Sequence, residues 1–90
     1  MDGINFNSIL PAFKRIVAGY VNDHLDKTDG VVFTPEEVYV VWFNKTLQHA
    51  KALLSTPLPD GMYYEVTYNG DKNEFYLDAY KKFENKLIKG

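Results

Sequence analysis

Residues 62–77, MYYEVTYNGDKNEFYL, constrain the fold of this chain more than any other stretch. Met62, Tyr64, Val66 and Tyr68 fall on one side of an extended chain and Tyr63, Glu65 and Thr67 on the other, a period of two that a helix cannot satisfy. NGDKN then supplies a turn, with Asn69 and Gly70 as residues that tolerate positive φ. EFYL returns with Phe75 and Leu77 on the apolar side and Tyr76 on the opposite one. A lone two-stranded ribbon is marginal in water, so the rest of the chain has to add strands and cover the apolar side.

Further strands are available upstream. VYVVWF, from Val38, is β-branched and aromatic and belongs in a strand. It follows TPEE at 34–37, where Thr34 caps, Pro35 fills the first helical position and Glu37 completes a capping box around one turn. The stretch VVWFNKTLQHAKALLST, residues 40–56, reads in two ways. A helix over 44–55 would align Leu47, Ala50, Leu53 and Leu54, but it has no cap or stop of its own. A hairpin gives the strand at 38–44 a neighbour in AKALLST, with Gln48 and His49 at the tip, and is preferred. LPDG at 58–61 is a type I turn that leads into the 62–77 hairpin.

Helices frame these strands. Phe6, Ile9, Leu10, Phe13, Ile16, Val17, Tyr20 and Val21 recur at three- and four-residue steps, so a helix starts near Asn7 or Ser8. It tolerates Pro11 in its first turn, runs to about Leu25 and dissolves in DKTDG. A closing helix is expected from Asp78, with Tyr80, Phe83 and Leu87 inward and Lys86 and Lys89 near its end. The expected fold is one α+β domain over residues 1–90: an antiparallel four-stranded meander flanked by an N-terminal and a C-terminal helix, both on one face.

Composition excludes several functions. The chain has no cysteine, so disulfides, thiolate metal sites and thiol nucleophiles are ruled out. Hydrophobic residues at 46% and aromatics at 16% suffice for a packed interior. No run reaches the ~18 apolar residues of a membrane span, and MDGINFNSIL lacks the features of a signal peptide, so a cytoplasmic location is expected. The net charge of −2 exerts no general pull on nucleic acid. Within residues 80–90, Lys81, Lys82, Lys86 and Lys89 against Glu84 leave +3, so the remainder carries −5.

Catalytic chemistry finds no footing. His24 falls in the apolar arc of the first helix and reads as a partly buried core residue, while His49 reads as a loop tip. Asp23, Asp26 and Asp29 around His24 resemble metal ligands at first sight, but a solvated helix end accounts for them better. No phosphate-binding or dinucleotide fingerprint occurs. A non-enzyme without cofactor or metal is expected.

From Val38 onward, VYVVWFNKTLQHAKALLST and PDGMYYEVTYNGDKNEFYLDAYKKFEN, with DHLDKTDG upstream, resemble a family of small uncharacterised proteins encoded by phages and prophages of Gram-positive (Firmicutes) bacteria. The match covers about two thirds of the chain, and PDGMYYEVTYNGDK is its most specific part. That family often has Asn-Asn where this chain has His49-Ala50, which implies a turn there and no shared role for His49. It carries no established activity; the resemblance implies a phage accessory protein acting in the bacterial cytoplasm.

Binding is the remaining route. If strand alternation holds, Tyr39, Val41 and Phe43 lie on the face opposite Val38, Val40 and Trp42, and Tyr63 and Tyr76 join them. One reading makes that strand central and covered on both faces. The other makes Tyr39, Val41, Phe43, Tyr63 and Tyr76 an exposed aromatic patch for a host or phage protein, or for a second copy in a homodimer. A nucleic-acid reading is weaker: outward tyrosines could stack single-stranded bases, or Lys81 and Lys82, with Lys86 and Lys89, could contact phosphates. A further alternative, resting on the acidic balance, is an inhibitor that occupies the nucleic-acid groove of a host defence or replication enzyme.

Overall fold

The computed structural model describes residues 6–24, with side chains from Ser8 onward, and residues 32–90. The expected end of the first helix at Leu25, the DKTDG turn, Asp26 and Asp29 lie outside the described residues. Helix α1 spans Phe6–His24 and a single 3-10 turn spans Pro35–Glu37. Strands β1 (Tyr39–Thr46), β2 (His49–Ser55), β3 (Met62–Asn69) and β4 (Glu74–Lys81) form one antiparallel sheet in the order β1-β2-β3-β4.

The periodic apolar residues of α1 make the core. Ile9, Phe13, Val17, Ala18 and Val21 are buried against Ala50, Ala52 and Leu54 of β2 and Tyr64, Val66 and Tyr68 of β3. Phe13 anchors this contact, with its ring 6.3 Å from that of Phe43 and 6.0 Å from that of Phe75. Alanine at two inward positions of β2 leaves room for the helix, so packing overrides the weak strand preference of AKALLS. Asn7 and Ser8 lie inside the helix, after its first residue, and Pro11 stands inside it beyond the first turn. With no N–H at Pro11, the Asn7 carbonyl loses its intrahelical partner.

The segment between α1 and β1 is pinned by Asn22. Its side-chain amide donates to the Phe33 carbonyl at 2.8 Å and its oxygen accepts the Phe33 N–H at 2.6 Å. The Glu37 half of the expected capping box forms, the Thr34 N–H donating to Glu37 Oε2 at 3.2 Å. Both anchors deliver Val38, which is buried, to the start of β1.

The helical reading of residues 44–55 is excluded, and the hairpin is present. Thr46 faces His49 across a two-residue loop, Leu47-Gln48, in which Leu47 has φ 55°. LPDG turns as expected: the Asp60 carboxylate accepts the Met62 N–H at 3.1 Å, and Gly61 follows at φ 68°, where a side chain would be strained. The last turn differs in detail from the expectation. The left-handed residue is Asn73, at φ 52°, while neither Asn69 nor Gly70 has positive φ. Asn69 contributes its side-chain oxygen instead, which accepts the Asp71 N–H at 3.0 Å.

The expected C-terminal helix is absent. Asp78, Ala79, Tyr80 and Lys81 pair with Glu65, Tyr64, Tyr63 and Met62, so β4 runs the full length of β3. A helix beginning at Asp78 would have stripped Tyr63 and Glu65, the two of these that bond toward β4, of backbone partners, and the ladder prevails. Residues 82–90 have no regular structure, and Phe83 and Leu87 are almost fully exposed. Among the described residues one α-helix, not two, therefore covers one face of the sheet.

A bulge decides what the other face carries. Val40 pairs with Leu54 and Trp42 with the next residue, Leu53, which leaves Val41 as an extra residue in β1. Beyond the bulge the alternation is reversed. Phe43, expected on the outer face, lies opposite buried Ala52 and packs on Phe13. Trp42, expected inward, faces out.

Candidate functional site: the open sheet face

The pairing register places the outer face residue by residue. One row across the sheet is Tyr39, Ser55, Tyr63 and Tyr80; the next is Trp42, Leu53, Glu65 and Asp78; the third is Asn44, Lys51, Thr67 and Tyr76. Five aromatic residues thus share the face that α1 leaves open. Tyr39, Trp42, Tyr76 and Tyr80 are 42–53% exposed, and Tyr63, in the more central β3, is half-buried.

Of the residues the sequence put forward for binding, Tyr39, Tyr63 and Tyr76 are on this face. Phe43 is on the core side, which corrects its placement. Val41 sits in the bulge, exposed and without a partner across the ladder. Trp42, Tyr80 and Leu53 were missed. Tyr80 had been assigned to a helix and Trp42 to the core, and only the bulge and the length of β4 reveal them.

The electrostatics of the face are acidic. Its strands contribute Glu65, Glu74 and Asp78 against Lys51, and the Lys51 ammonium is 3.8 Å from Glu65. Tyr76 donates its hydroxyl to Glu74 at 2.6 Å, and that bond, with the nearby negative charge, holds its phenol above the usual range. Glu65, then partial desolvation and Asp78, push the Tyr80 phenol up in the same direction. Both phenols therefore remain neutral donors through the whole physiological range.

The lysines put forward for phosphate contacts are spread over the end of β4 and the segment after it. Lys81 ends β4 and Lys82 follows in extended chain, so their side chains leave on opposite sides. Lys86 and Lys89 are exposed on a segment without regular structure. His24, expected in the core, is exposed: its ring stacks on Tyr20 at 4.1 Å and its Nδ1–H donates to the Tyr20 carbonyl at 2.8 Å. His49, expected at a free tip, is half-buried and accepts the Gly70 N–H at 3.2 Å.

An open cleft of about 220 Å³ lies between α1 and the 58–62 turn, bounded by Tyr20, His24, Leu58, Asp60 and Tyr64. It is smaller than ordinary ligand pockets, and the polar groups of His24 and Asp60 are already bonded to backbone. Burial, then Asp60 and Tyr20, raise the Tyr64 phenol, which opposes any role as a base. Among the described residues no three metal-ligating side chains come together, and no helix is long and apolar enough to cross a membrane.

Comparison with known proteins adds one relationship. No curated protein and no solved structure matches the chain. A family of unknown function, DUF6275, matches residues 11–90, and with almost the whole chain covered the protein belongs to that family.

Proposed function

We propose that this chain is a small non-enzymatic interaction module, a phage or prophage accessory protein that binds a host or phage protein in the bacterial cytoplasm through its open sheet face. The observation that carries this reading is the row register itself. Tyr39, Trp42, Tyr63, Tyr76 and Tyr80 occupy one face that no element among the described residues covers. Aromatic residues are the side chains most enriched at the centres of protein interfaces, because they bury large areas at little cost in conformational entropy. Tyrosine and tryptophan also keep a polar donor for the partner.

The same face argues against nucleic acid. Stacking platforms for single strands combine aromatic rings with a positive groove. Here the rings are interleaved with Glu65, Glu74 and Asp78, which repel phosphate. The acidic surround favours instead a partner with arginine or lysine, whose cations also pack on aromatic faces.

The test is affinity capture of the tagged protein from host cells, with wild type beside Trp42→Glu and Tyr63→Glu. Both variants should keep the wild-type circular dichroism and lose the same captured protein. Retention of that protein by both folded variants rejects the face as the binding site. Binding of a single-stranded oligonucleotide at low salt, abolished by the same substitutions, would replace this reading with the nucleic-acid one.

A further inference from the structure

The two edges of the sheet are not alike. β1 carries the bulge at Val41, and Lys45 pairs with the buried Ala50, so a charge stands on its inner side. Bulges and inward charges are the devices by which sheet edges avoid pairing with other chains. β4 has no bulge, and its one inner-side charge, Lys81 opposite Met62, stands at its last residue. It runs eight residues in unbroken register with β3, contains no proline, and continues to Lys82, whose N–H donates to the Gly61 carbonyl at 2.7 Å.

That last bond sets the phase of the edge. In an antiparallel ladder alternate residues bond across, so Tyr80, Asp78 and Tyr76 bond toward β3 with Lys82. The N–H and C=O groups of Phe75, Leu77 and Ala79 therefore point away from β3, on the edge where no strand among the described residues pairs with β4.

We propose that β4 pairs antiparallel with β4 of a second copy of this chain, about a two-fold axis at Leu77. In this register Leu77 meets Leu77 of the second copy, and the large Phe75 meets the small Ala79. Tyr76 lies opposite Asp78, so no two like charges face each other there. Moving the axis to Asp78 would oppose two carboxylates, and moving it to Tyr76 would set Asp78 against Glu74. Like charges directly opposite are destabilising, which favours Leu77 over both of its neighbours. The pairing joins two four-stranded sheets into one of eight, with both α1 helices on one face. Tyr76 and Tyr80 of both copies then meet at the middle of the open face. Two short strand edges bury less than the ~1,200 Å² of stable interfaces, so association depends on concentration. The inference holds whatever the open face binds.

Sedimentation velocity over a concentration series tests it. The wild-type chain should pass from monomer to dimer, and Ala79→Pro should remain monomeric. Ala79 is exposed and its N–H points outward, so proline there removes a bond to the second copy and none to β3. Leu77→Cys supplies a readout that does not rely on that variant folding. Directly opposed residues of a bonded antiparallel pair have Cα atoms about 5.5 Å apart, within disulfide range. Mild oxidation should convert Leu77→Cys to covalent dimer at least about tenfold faster than Ala79→Cys, whose thiols lie four residues out of register. A wild-type chain that stays monomeric throughout the series, or equal cross-linking of the two cysteine variants, overturns the proposal.

Discussion

Gly70 matters for what it lacks rather than for its φ. A Cβ at this position would overlap the Gln48 carbonyl oxygen, so the β1–β2 and β3–β4 turns meet through their backbones. The contact is completed by polar groups: the Gln48 side-chain amide donates to Asp71, and His49 accepts the Gly70 N–H through Nδ1. Its Nε2–H then faces the Asp71 carboxylate at 3.6 Å. Gly70→Ala should cost about 2 kcal/mol in denaturant unfolding, the scale of forcing one extra carbon into a packed site. An unchanged midpoint would mean that the two turns do not touch. Tyr64 yields a prediction in pH. Its phenol is raised above 10 by burial and by Asp60, so its contribution is complete below pH 10 and is lost as pH rises through the higher folded value. Thermal melts between pH 8 and 12 should fall at the alkaline end, and Tyr64→Phe should fall less. Parallel curves for the two proteins would remove Tyr64 from this role.

At the scale of elements, the legible parts were those in which one periodicity holds without interruption. The 3–4 spacing from Ile9 to Val21 and the alternation from Met62 to Tyr68 became α1 and β3. The hairpin over 40–56 was legible from need, since a strand at 38–44 requires a neighbour, and not from the propensity of its alanines and lysine. Two features were hidden for physical reasons. A bulge leaves no trace in a run such as VYVVWF, where both faces are apolar, so counting by twos from Val38 placed Trp42 and Phe43 on the wrong sides. The final segment has helical spacing, but the backbone of β3 claims residues 78–81 first, a tertiary effect that local pattern does not register. Deleting Val41 should therefore restore regular pairing with Trp42 still outward; unfolding should stay cooperative and the tryptophan emission should remain that of an exposed ring. A blue-shifted emission would show that the register is not the one described. Truncation after Lys82 removes only exposed residues and should leave the melting temperature within a few degrees, surface changes being worth about 0.5 kcal/mol. A large loss of stability would imply that the tail packs on the core.

At the scale of the molecule, the described residues form two layers. Its shortest dimension, 19 Å, is the depth of a sheet with one helix laid on it. The sequence offered aromatic residues enough for a third layer, and the fold spends them on a face that has none. The proposed binding face follows from this asymmetry between a sheltered face, where Phe43 and Tyr68 pack with Phe13, and an open one, with Tyr39, Trp42, Tyr76 and Tyr80. Solvent paramagnetic relaxation of the aromatic protons, recorded by NMR on the dilute chain, separates the two directly. Strong attenuation of Trp42, Tyr39, Tyr76 and Tyr80 with protection of Phe43, Phe13 and Tyr68 is the predicted result. Protection of Trp42 with attenuation of Phe43 would contradict the bulge, the register and the face built on them.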